Sequence, residues 1–126
     1  MTIKLDHTVL YAENHDKAAH EFADVMGLPT GRITGEGYDF TAVPVNSELS
    51  IYFMDRDKVN LEQHMAFTVD GQTFDQILQR LIKKEMAFGS SPFDRVNQRT
   101  DHDFAARGLF WTNLDGCLFE IMTYHF

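Results

Sequence analysis

Two segments of the chain begin alike, His7-Thr-Val-Leu-Tyr-Ala12 and His64-Met-Ala-Phe-Thr-Val69. Both are short, apolar and rich in branched or aromatic residues, as strands are, and their offset is 64 − 7 = 57 residues. In each half, the residue pattern predicts a helix that starts about nine residues after the histidine. This spacing predicts an internal repeat, in which two divergent halves have the same order of elements.

Apolar residues at helical spacing predict two helices. The clearer helix covers residues 73–84, and Thr73 with Gln76 is typical of a capping box at its start. Its apolar stripe consists of Phe74, Ile77, Leu78, Leu81 and Ile82. The other helix is predicted over about residues 16–26, and Gly27 is expected to end it because glycine readily takes the left-handed conformation found there.

Short segments rich in aromatic and branched residues predict strands around both helices. They are 3–12, 40–45, 49–54, 64–69, 108–112 and 117–124, with a weaker one near 32–34. The order strand, helix, strands occurs twice, which favours an α+β architecture. We therefore predict a single domain over residues 1–126, built from two βαβββ modules of about residues 1–58 and 59–126.

Composition and charge argue against several classes of partner and location. The chain has 126 residues and a formal net charge of −8, which repels phosphate backbones and anionic membrane surfaces, so neither nucleic acid nor membrane is an expected partner. One cysteine allows no intramolecular disulfide. The start does not resemble a signal peptide, and no apolar run approaches the roughly 18 residues of a membrane span. We therefore expect a cytoplasmic protein.

Three polar side chains lie at unusual positions in the predicted strands. His7 and His64 occupy corresponding positions of the two halves, and His64 lies on the strand face opposite the one that a helix would cover. Glu120 lies in the middle of an apolar strand, where a buried carboxylate is costly unless a cation or strong donors satisfy it. Each of these residues, taken alone, would have an ordinary structural role, but their positions in the repeat favour a common functional role.

These three side chains form a candidate metal site. Two imidazoles and one carboxylate are a ligand set that holds a first-row divalent metal while leaving coordination positions open. We therefore predict one divalent metal ion, either Fe, Mn, Ni or Zn, bound by His7, His64 and Glu120. Open positions are what a catalytic site requires.

The other histidines and the cysteine receive structural interpretations. His15 and His20, in or near the first helix, are expected at the surface. Cys117 is expected to be a small core residue, because no neighbour in sequence would lower its pKa. Trp111 and Phe110 lie on opposite faces of one strand, so one packs in the core and the other lines a pocket. The sequence does not show which of the two faces the core.

The segment 89–106 is polar, nonperiodic and long for a compact domain, which is typical of either a functional lid or a flexible loop. His102 within it is either a proton shuttle that folds over the site or, more commonly for such a residue, a solvated side chain. Arg95, Arg99 and Arg107 flank the segment and are either a clamp for an anionic substrate or solvated surface residues.

Four segments follow a specific order and spacing: Leu5-Asp-His7, Phe22-Ala-Asp-Val-Met-Gly-Leu28, His64-Met-Ala-Phe67, and Gly108-Leu-Phe-Trp-Thr-Asn-Leu-Asp-Gly116 followed by Glu120. Over nearly its whole length, the chain resembles the vicinal oxygen chelate superfamily, which includes glyoxalases, bleomycin-resistance proteins, fosfomycin-modifying enzymes and extradiol dioxygenases. Two positions depart from the family pattern. Asn113-Leu114 stands where relatives often have Asp-Pro, and Phe110 stands where several relatives have a tyrosine.

The resemblance implies two βαβββ modules that form a curled mixed sheet around a metal cleft, with the helices on the outer face. It places His7, His64 and Glu120 at the family's metal positions, and it implies a homodimer that acts on a small-molecule substrate. The candidate substrate-binding residues are Tyr11, Arg107, Phe110 and Tyr124.

The branches of the family differ at a few positions. Glyoxalase I enzymes add a glutamate in the last strand of the first half, where this chain reads Leu49-Ser-Ile-Tyr52 with only Glu48 nearby. Fosfomycin-thiol transferases usually have a threonine two residues after the first histidine, where this chain has Val9, and bleomycin-binding members lack the metal ligands. The expected function is a metal-dependent enzyme of the glyoxalase/dioxygenase type that chelates adjacent oxygens of a small substrate, with dioxygenase-like chemistry favoured. The alternatives are a noncatalytic drug- or metabolite-binding protein and a glyoxalase I-type lyase.

Overall fold

The computed structural model describes residues 2–59, 62–103 and 105–123, and this part of the chain forms two helices and seven strands. The chain divides into two compact units, Met1–Asn60 (unit 1) and Leu61–Phe126 (unit 2). The predicted module boundary, between residues 58 and 59, lies close to this division. Neither helix among the described residues has the length and apolar character needed to span a bilayer.

Unit 1 contains one complete βαβββ module. Its elements are β1 (His7–Ala12), α1 (His15–Met26), β2 (Gly31–Gly35), β3 (Tyr38–Pro44) and β4 (Ser50–Asp55). The sheet order is β1-β4-β3-β2, in which β1 and β4 are parallel and the other pairs antiparallel, and α1 packs on β1, β3 and β4. Leu10 and Ala12 are buried while His7 and Tyr11 are exposed, so the predicted alternation along β1 is confirmed.

Helix α1 has the ends that its sequence favours. Asn14 is the N-cap residue, and its side-chain oxygen accepts a hydrogen bond from the backbone N–H of Lys17 at 3.1 Å. Gly27 ends the helix with a φ of 75°, as predicted, because this left-handed conformation costs glycine little. The helix begins at His15, one residue before the predicted start at Asp16.

His15 is buried, and the expectation that it lies at the surface was wrong. Its side chain is only 4% exposed. Thr41 on β3 donates its hydroxyl proton to Asp16 at 2.9 Å, so the same hydroxyl oxygen accepts from Nδ1–H of His15 at 2.8 Å. The backbone N–H of His15 donates to Asp55 at 2.7 Å. These partners lie far along the chain, so His15 joins the start of α1 to the sheet.

Unit 2 contains the second module in a reduced form. Its elements are β5 (His64–Thr68), α2 (Gly71–Lys83), β6 (Gly108–Thr112) and β7 (Leu118–Met122), and the sheet order is β5-β7-β6. Strands β5 and β7 are parallel, and β6 and β7 antiparallel. The further strand that a βαβββ module requires is represented by one isolated bridge, in which Gly89 and Phe110 exchange backbone hydrogen bonds of 3.0 and 2.8 Å.

Helix α2 begins earlier than predicted. Asp70 is its N-cap residue and accepts a hydrogen bond from the backbone N–H of Thr73 at 2.7 Å, which also lowers the pKa of the Asp70 carboxyl group. Thr73 therefore lies inside the first turn instead of capping it. Phe74, Ile77 and Leu81 of the predicted stripe are buried, whereas Ile82 at its margin is half exposed.

The long segment after α2 is held by a network of backbone hydrogen bonds. Gln98 donates to the carbonyl of Phe88 at 2.9 Å, and Gly108 donates to the carbonyl of Thr100 at 2.9 Å. Asn97 adds a side-chain link, since its carbonyl oxygen accepts from the N–H of Ser90 at 3.0 Å. The two backbone bonds attach the middle of the segment to Phe88 and Gly108, the residues just outside its ends, and the bond between Asn97 and Ser90 closes it internally.

Cys117 precedes β7 and is buried, as predicted for a core residue. Burial raises the pKa of its thiol from an ordinary value of 9.0 to about 12, and the negative charges of Asp115 and Glu62 act in the same direction. We expect the native protein to resist a thiol reagent such as DTNB at pH 8, and to react stoichiometrically once unfolded in guanidinium. Rapid reaction of the native protein would contradict the buried placement.

The same shift sets the sign of a pH effect on stability. The folded state favours the neutral thiol. The contribution of Cys117 to the free energy of unfolding is therefore complete below the unfolded pKa of 9.0 and is lost as pH rises towards about 12. Urea unfolding of wild-type and Cys117→Ala proteins between pH 8 and 11 checks this. The wild type should lose more stability than the variant over that range.

Candidate metal centre

Three strands bring His64, Phe110 and Glu120 to one face of the unit 2 sheet. Phe110 on β6 lies directly opposite Glu120 on β7, and opposed residues of paired strands project to the same side. Ala66 on β5 is the parallel partner of Glu120, and His64 lies two residues before it, hence on the same face. Trp111 lies opposite Phe119 on the other face, which settles the order of the pair: Phe110 faces the site and Trp111 the core.

Glu120 is a buried carboxylate with an imidazole at each oxygen. The residue is 6% exposed. Its Oε1 lies 3.1 Å from Nε2 of His64, and its Oε2 lies 2.6 Å from Nε2 of His102. Because an ionised carboxylate has no proton to give, Nε2–H of His102 must be the donor in the shorter contact. The polar partners that the sequence required for this charge are therefore present, and one of them comes from the loop.

His102 is a site residue that the sequence interpretation underrated. Its side chain is 7% exposed, so the expectation of a solvated loop residue was wrong. The ring stacks on Phe110, with centroids 5.6 Å apart and an angle of 12° between planes. It also lies against Gly108, where an added Cβ would come within 2.8 Å of the His102 Cγ. Gly108 is the first residue of β6, and a glycine in a strand often marks such a close approach, which was the signal available in the sequence.

A pocket opens over this cluster within unit 2. Its volume is about 210 Å³, and its walls include His64, His102, Phe110 and Glu120 from the face just described, with Ser90 and Ser91 from the loop. No lysine or arginine is among the described residues that line it. The pocket thus combines one aromatic wall, two hydroxyl groups, the histidine–carboxylate cluster and a second carboxylate, that of Asp103.

His7, the predicted third ligand, lies on the exposed face of β1 in unit 1. Its ring stacks on Tyr52 of β4, with centroids 4.3 Å apart and planes at 16°. Nδ1–H donates to the carboxylate of Asp6 at 2.8 Å, which leaves the lone pair on Nε2. A carboxylate on the second ring nitrogen is the usual support for a metal-binding histidine. The role of His7 as a ligand stays a prediction.

The predicted substrate-binding residues fall in different places. Phe110 lines the pocket. Tyr11 lies on the same face of β1 as His7, with the Arg56 guanidinium 4.9 Å from its ring centroid. Arg107 donates to Asp75 at 2.6 Å and covers the ring of Phe74. Tyr124 lies outside the described residues.

The two other arginines considered for an anionic clamp also have acidic partners. Arg99 forms a two-pronged contact with Asp101, at 2.9 and 2.7 Å. Arg95 pairs with Glu62 and donates to the carbonyl of Pro92 at 2.7 Å. Both side chains therefore have local electrostatic roles in unit 2.

The donor atoms of unit 2 fit a divalent cation in part. Metal bonds of about 2.1 Å at right angles place neighbouring ligand atoms roughly 3.0 Å apart, and Nε2 of His64 and Oε1 of Glu120 are 3.1 Å apart. Within either unit, the described residues contain no group of three or more His, Cys, Asp or Glu side chains arranged to hold a metal ion. The spacing of His64 and Glu120 thus suits two metal ligands, and a metal bound there would need a further donor.

Solved structures similar to this chain include two oxidases. The chain is 30% identical to "Oxidase ChaP-H1", with a TM-score of 0.86 over 97% of this chain and 96% of that one. It is 27% identical to "Oxidase ChaP-H2", with a TM-score of 0.89 over 100% of this chain and 97% of that one. Both matches span nearly the full length of both proteins.

A more distant match shows the fold alone. The fosfomycin resistance protein FosX from Listeria monocytogenes is 17% identical, with a TM-score of 0.71 over 98% of this chain and 94% of that one. A glutamine mutant of that protein was solved with Mn(II) and 1S,2S-dihydroxypropylphosphonic acid, and it matches at 19% identity with a TM-score of 0.68 over 98% of this chain and 92% of that one. No protein-family model matches the chain, and no curated protein matches it in sequence.

Proposed function

This chain belongs to the vicinal oxygen chelate superfamily, and from that premise we propose that it is a metal-dependent enzyme that uses molecular oxygen on a small substrate with two adjacent oxygen atoms. His64 and Glu120 hold the divalent metal, with His7 as the third ligand. A divalent metal held by these residues would supply Lewis-acid polarisation of the substrate oxygens. The proposal includes a homodimer, as the family resemblance implies.

The observation that carries the proposal is the burial of the Glu120 carboxylate beside His64. A carboxylate that is 6% exposed on a mainly apolar strand is unfavourable unless strong partners satisfy it. Its Oε1 faces His64 at 3.1 Å inside a pocket wide enough for a small ligand. A purely structural carboxylate has no need of an open pocket at its charged end, whereas a ligand of a catalytic metal requires one.

The pocket walls favour an uncharged aromatic substrate. Phe110, stacked on His102, makes part of the wall apolar and aromatic, and the hydroxyl groups of Ser90 and Ser91 can bond to polar substituents. Since no described lysine or arginine lines the pocket, a phosphonate or phosphate group has no cationic side chain to bind there. An aromatic ring with adjacent oxygens meets these conditions, and the names of the oxidases matched at 27% and 30% identity support oxygen chemistry.

The first unit gives less support to a glyoxalase I-type lyase. Ser50 and Tyr52 are the β4 partners of His7 and Val9, and so share the face on which His7 lies. The Tyr52 ring stacks on His7, where a fourth, carboxylate ligand would have to approach. The nearby Glu48 forms an ion pair with Lys4 at 2.7 Å. Oxygen chemistry at a two-histidine, one-carboxylate site is therefore the better proposal.

Elemental analysis and oxygen uptake test this proposal together. Protein purified without chelator or affinity metal is expected to hold about one transition metal per chain, and the apoprotein reloaded with Fe(II) is expected to consume oxygen when supplied with catechol-type aromatics. Uptake should stop on chelation and return when the metal is restored. The apoprotein and an Fe(II)-only sample without protein are the controls.

Two results would overturn the proposal. One is protein that holds no metal either as purified or after reloading. The other is thermal stabilisation by planar drugs without any response to Mn, Fe, Ni or Zn, which would identify a noncatalytic binding protein instead.

A further inference from the structure

The loop residue His102 has a position that the proposed metal chemistry does not by itself require. Its Nε2–H donates to Oε2 of Glu120 at 2.6 Å, while the other oxygen, Oε1, lies 3.1 Å from His64. The two oxygens of one carboxylate thus have different partners, one from the loop and one from β5. The loop partner is buried, and the β5 partner is half exposed to the pocket.

The ring of His102 is held on three sides. Phe110 stacks against one of its faces at 5.6 Å between centroids. Gly108 provides space for the ring, because a Cβ at that position would overlap it. The backbone on either side is tied down, since His102 forms a bridge with Ala105 and Thr100 accepts a hydrogen bond from Gly108 at 2.9 Å. A ring held in this way offers its donor to Glu120 in a single direction.

From this geometry we propose that His102 is a positioning residue, which fixes Oε2 of Glu120 so that the carboxylate binds the metal through Oε1 alone. The inference rests on the proposed function, because it assigns a role in holding that metal. A free carboxylate rotates about its terminal bond and samples several orientations, whereas one anchored at Oε2 is already arranged for single-oxygen binding beside His64. Partners of this kind typically change metal affinity by about 10- to 100-fold.

Titration with Mn(II), followed by electron paramagnetic resonance of the free ion, measures this contribution. His102→Ala is expected to bind Mn(II) about 10- to 100-fold more weakly than wild type, with the stoichiometry unchanged. His102→Gln, which keeps a side-chain N–H donor, should recover part of the loss. Gly108→Ala, which displaces the ring but keeps the imidazole, should weaken binding in the same direction as His102→Ala. His20→Ala, a change at an exposed histidine on α1, is the matched control and should bind like wild type.

A role in packing alone gives a different result, because it would lower thermal stability in His102→Ala without changing Mn(II) affinity. That outcome overturns the inference and leaves the proposed function standing. If wild type binds no Mn(II) and no other divalent metal, the proposed function fails, and crystal structures of metal-free wild type and His102→Ala then decide the inference. A Glu120 carboxylate that turns away or becomes disordered in the variant supports positioning, and an unchanged carboxylate overturns it.

Discussion

His64→Ala is expected to lose most of its bound metal while remaining folded. The variant removes one of the two metal ligands that we propose for unit 2, and removal of a ligand should cost more than the roughly 10- to 100-fold loss of affinity that follows removal of a supporting residue. We therefore expect divalent metal affinity to fall by at least about 100-fold. Metal content by elemental analysis and competition with a chromophoric chelator measure the change.

The fold of this variant should be preserved, because the His64 side chain is 47% exposed and contributes little to the core. Its unfolding free energy in the metal-free state should be about 1–3 kcal/mol below wild type, because Oε1 of the buried Glu120 carboxylate loses its partner. His20→Ala, on the exposed side of α1, controls for the loss of a histidine as such. If His64→Ala binds stoichiometric metal with wild-type affinity, the ligand assignment is wrong.

The strand faces of the site were predictable because they follow from a local rule. Alternation along a strand fixed the sides on which His64 and Glu120 project, and the pairing of β5, β6 and β7 agrees with it. The segment 108–112 was predicted with the bounds that β6 has. The repeat, read from His7 and His64, also predicted a strand, a helix and then further strands in each half, but in the described part of unit 2 the extra strand of a βαβββ module is reduced to the bridge of Gly89 with Phe110.

The residues that were missed depend on contacts between distant parts of the chain. His102 reaches Glu120 because the loop is attached to β6 through the bridge of Gly89 with Phe110 and through the bond from Gly108 to Thr100. No periodicity marks such a loop, so composition alone suggested a solvated histidine. The buried position of His15 has the same origin, since its partner Thr41 lies on β3. In both cases, the interpretation from sequence did not anticipate that a polar side chain is buried because it hydrogen-bonds to another polar group.

The choice between Phe110 and Trp111 was open for a different reason. Both are large aromatic residues on one strand, and alternation says only that they face opposite sides. The register of β6 against β7 decides the matter, because it sets Phe110 opposite the carboxylate and Trp111 opposite Phe119. Register depends on the turn at 113–117, where Asn113 accepts hydrogen bonds from the N–H groups of Asp115 and Cys117 at 3.0 and 2.9 Å. That turn thus determines which aromatic residue lines the pocket.

Trp111→Ala is expected to cause the largest loss of stability among single changes in unit 2. Trp111 is fully buried on β6, and its ring packs on Phe119 with centroids 5.4 Å apart. Truncation of a buried tryptophan to alanine removes apolar contacts and leaves a cavity, which typically costs about 3–5 kcal/mol. Urea unfolding followed by circular dichroism measures the change, since the variant lacks the only tryptophan.

Two further variants serve as controls. Trp111→Phe should lose less stability because more of the side-chain volume remains. Leu114→Ala, at an exposed turn residue, should have an unfolding free energy within about 0.5 kcal/mol of wild type. A loss below about 1 kcal/mol in Trp111→Ala would mean that Trp111 is not in the core, and the assignment of Phe110 to the pocket would then be wrong as well.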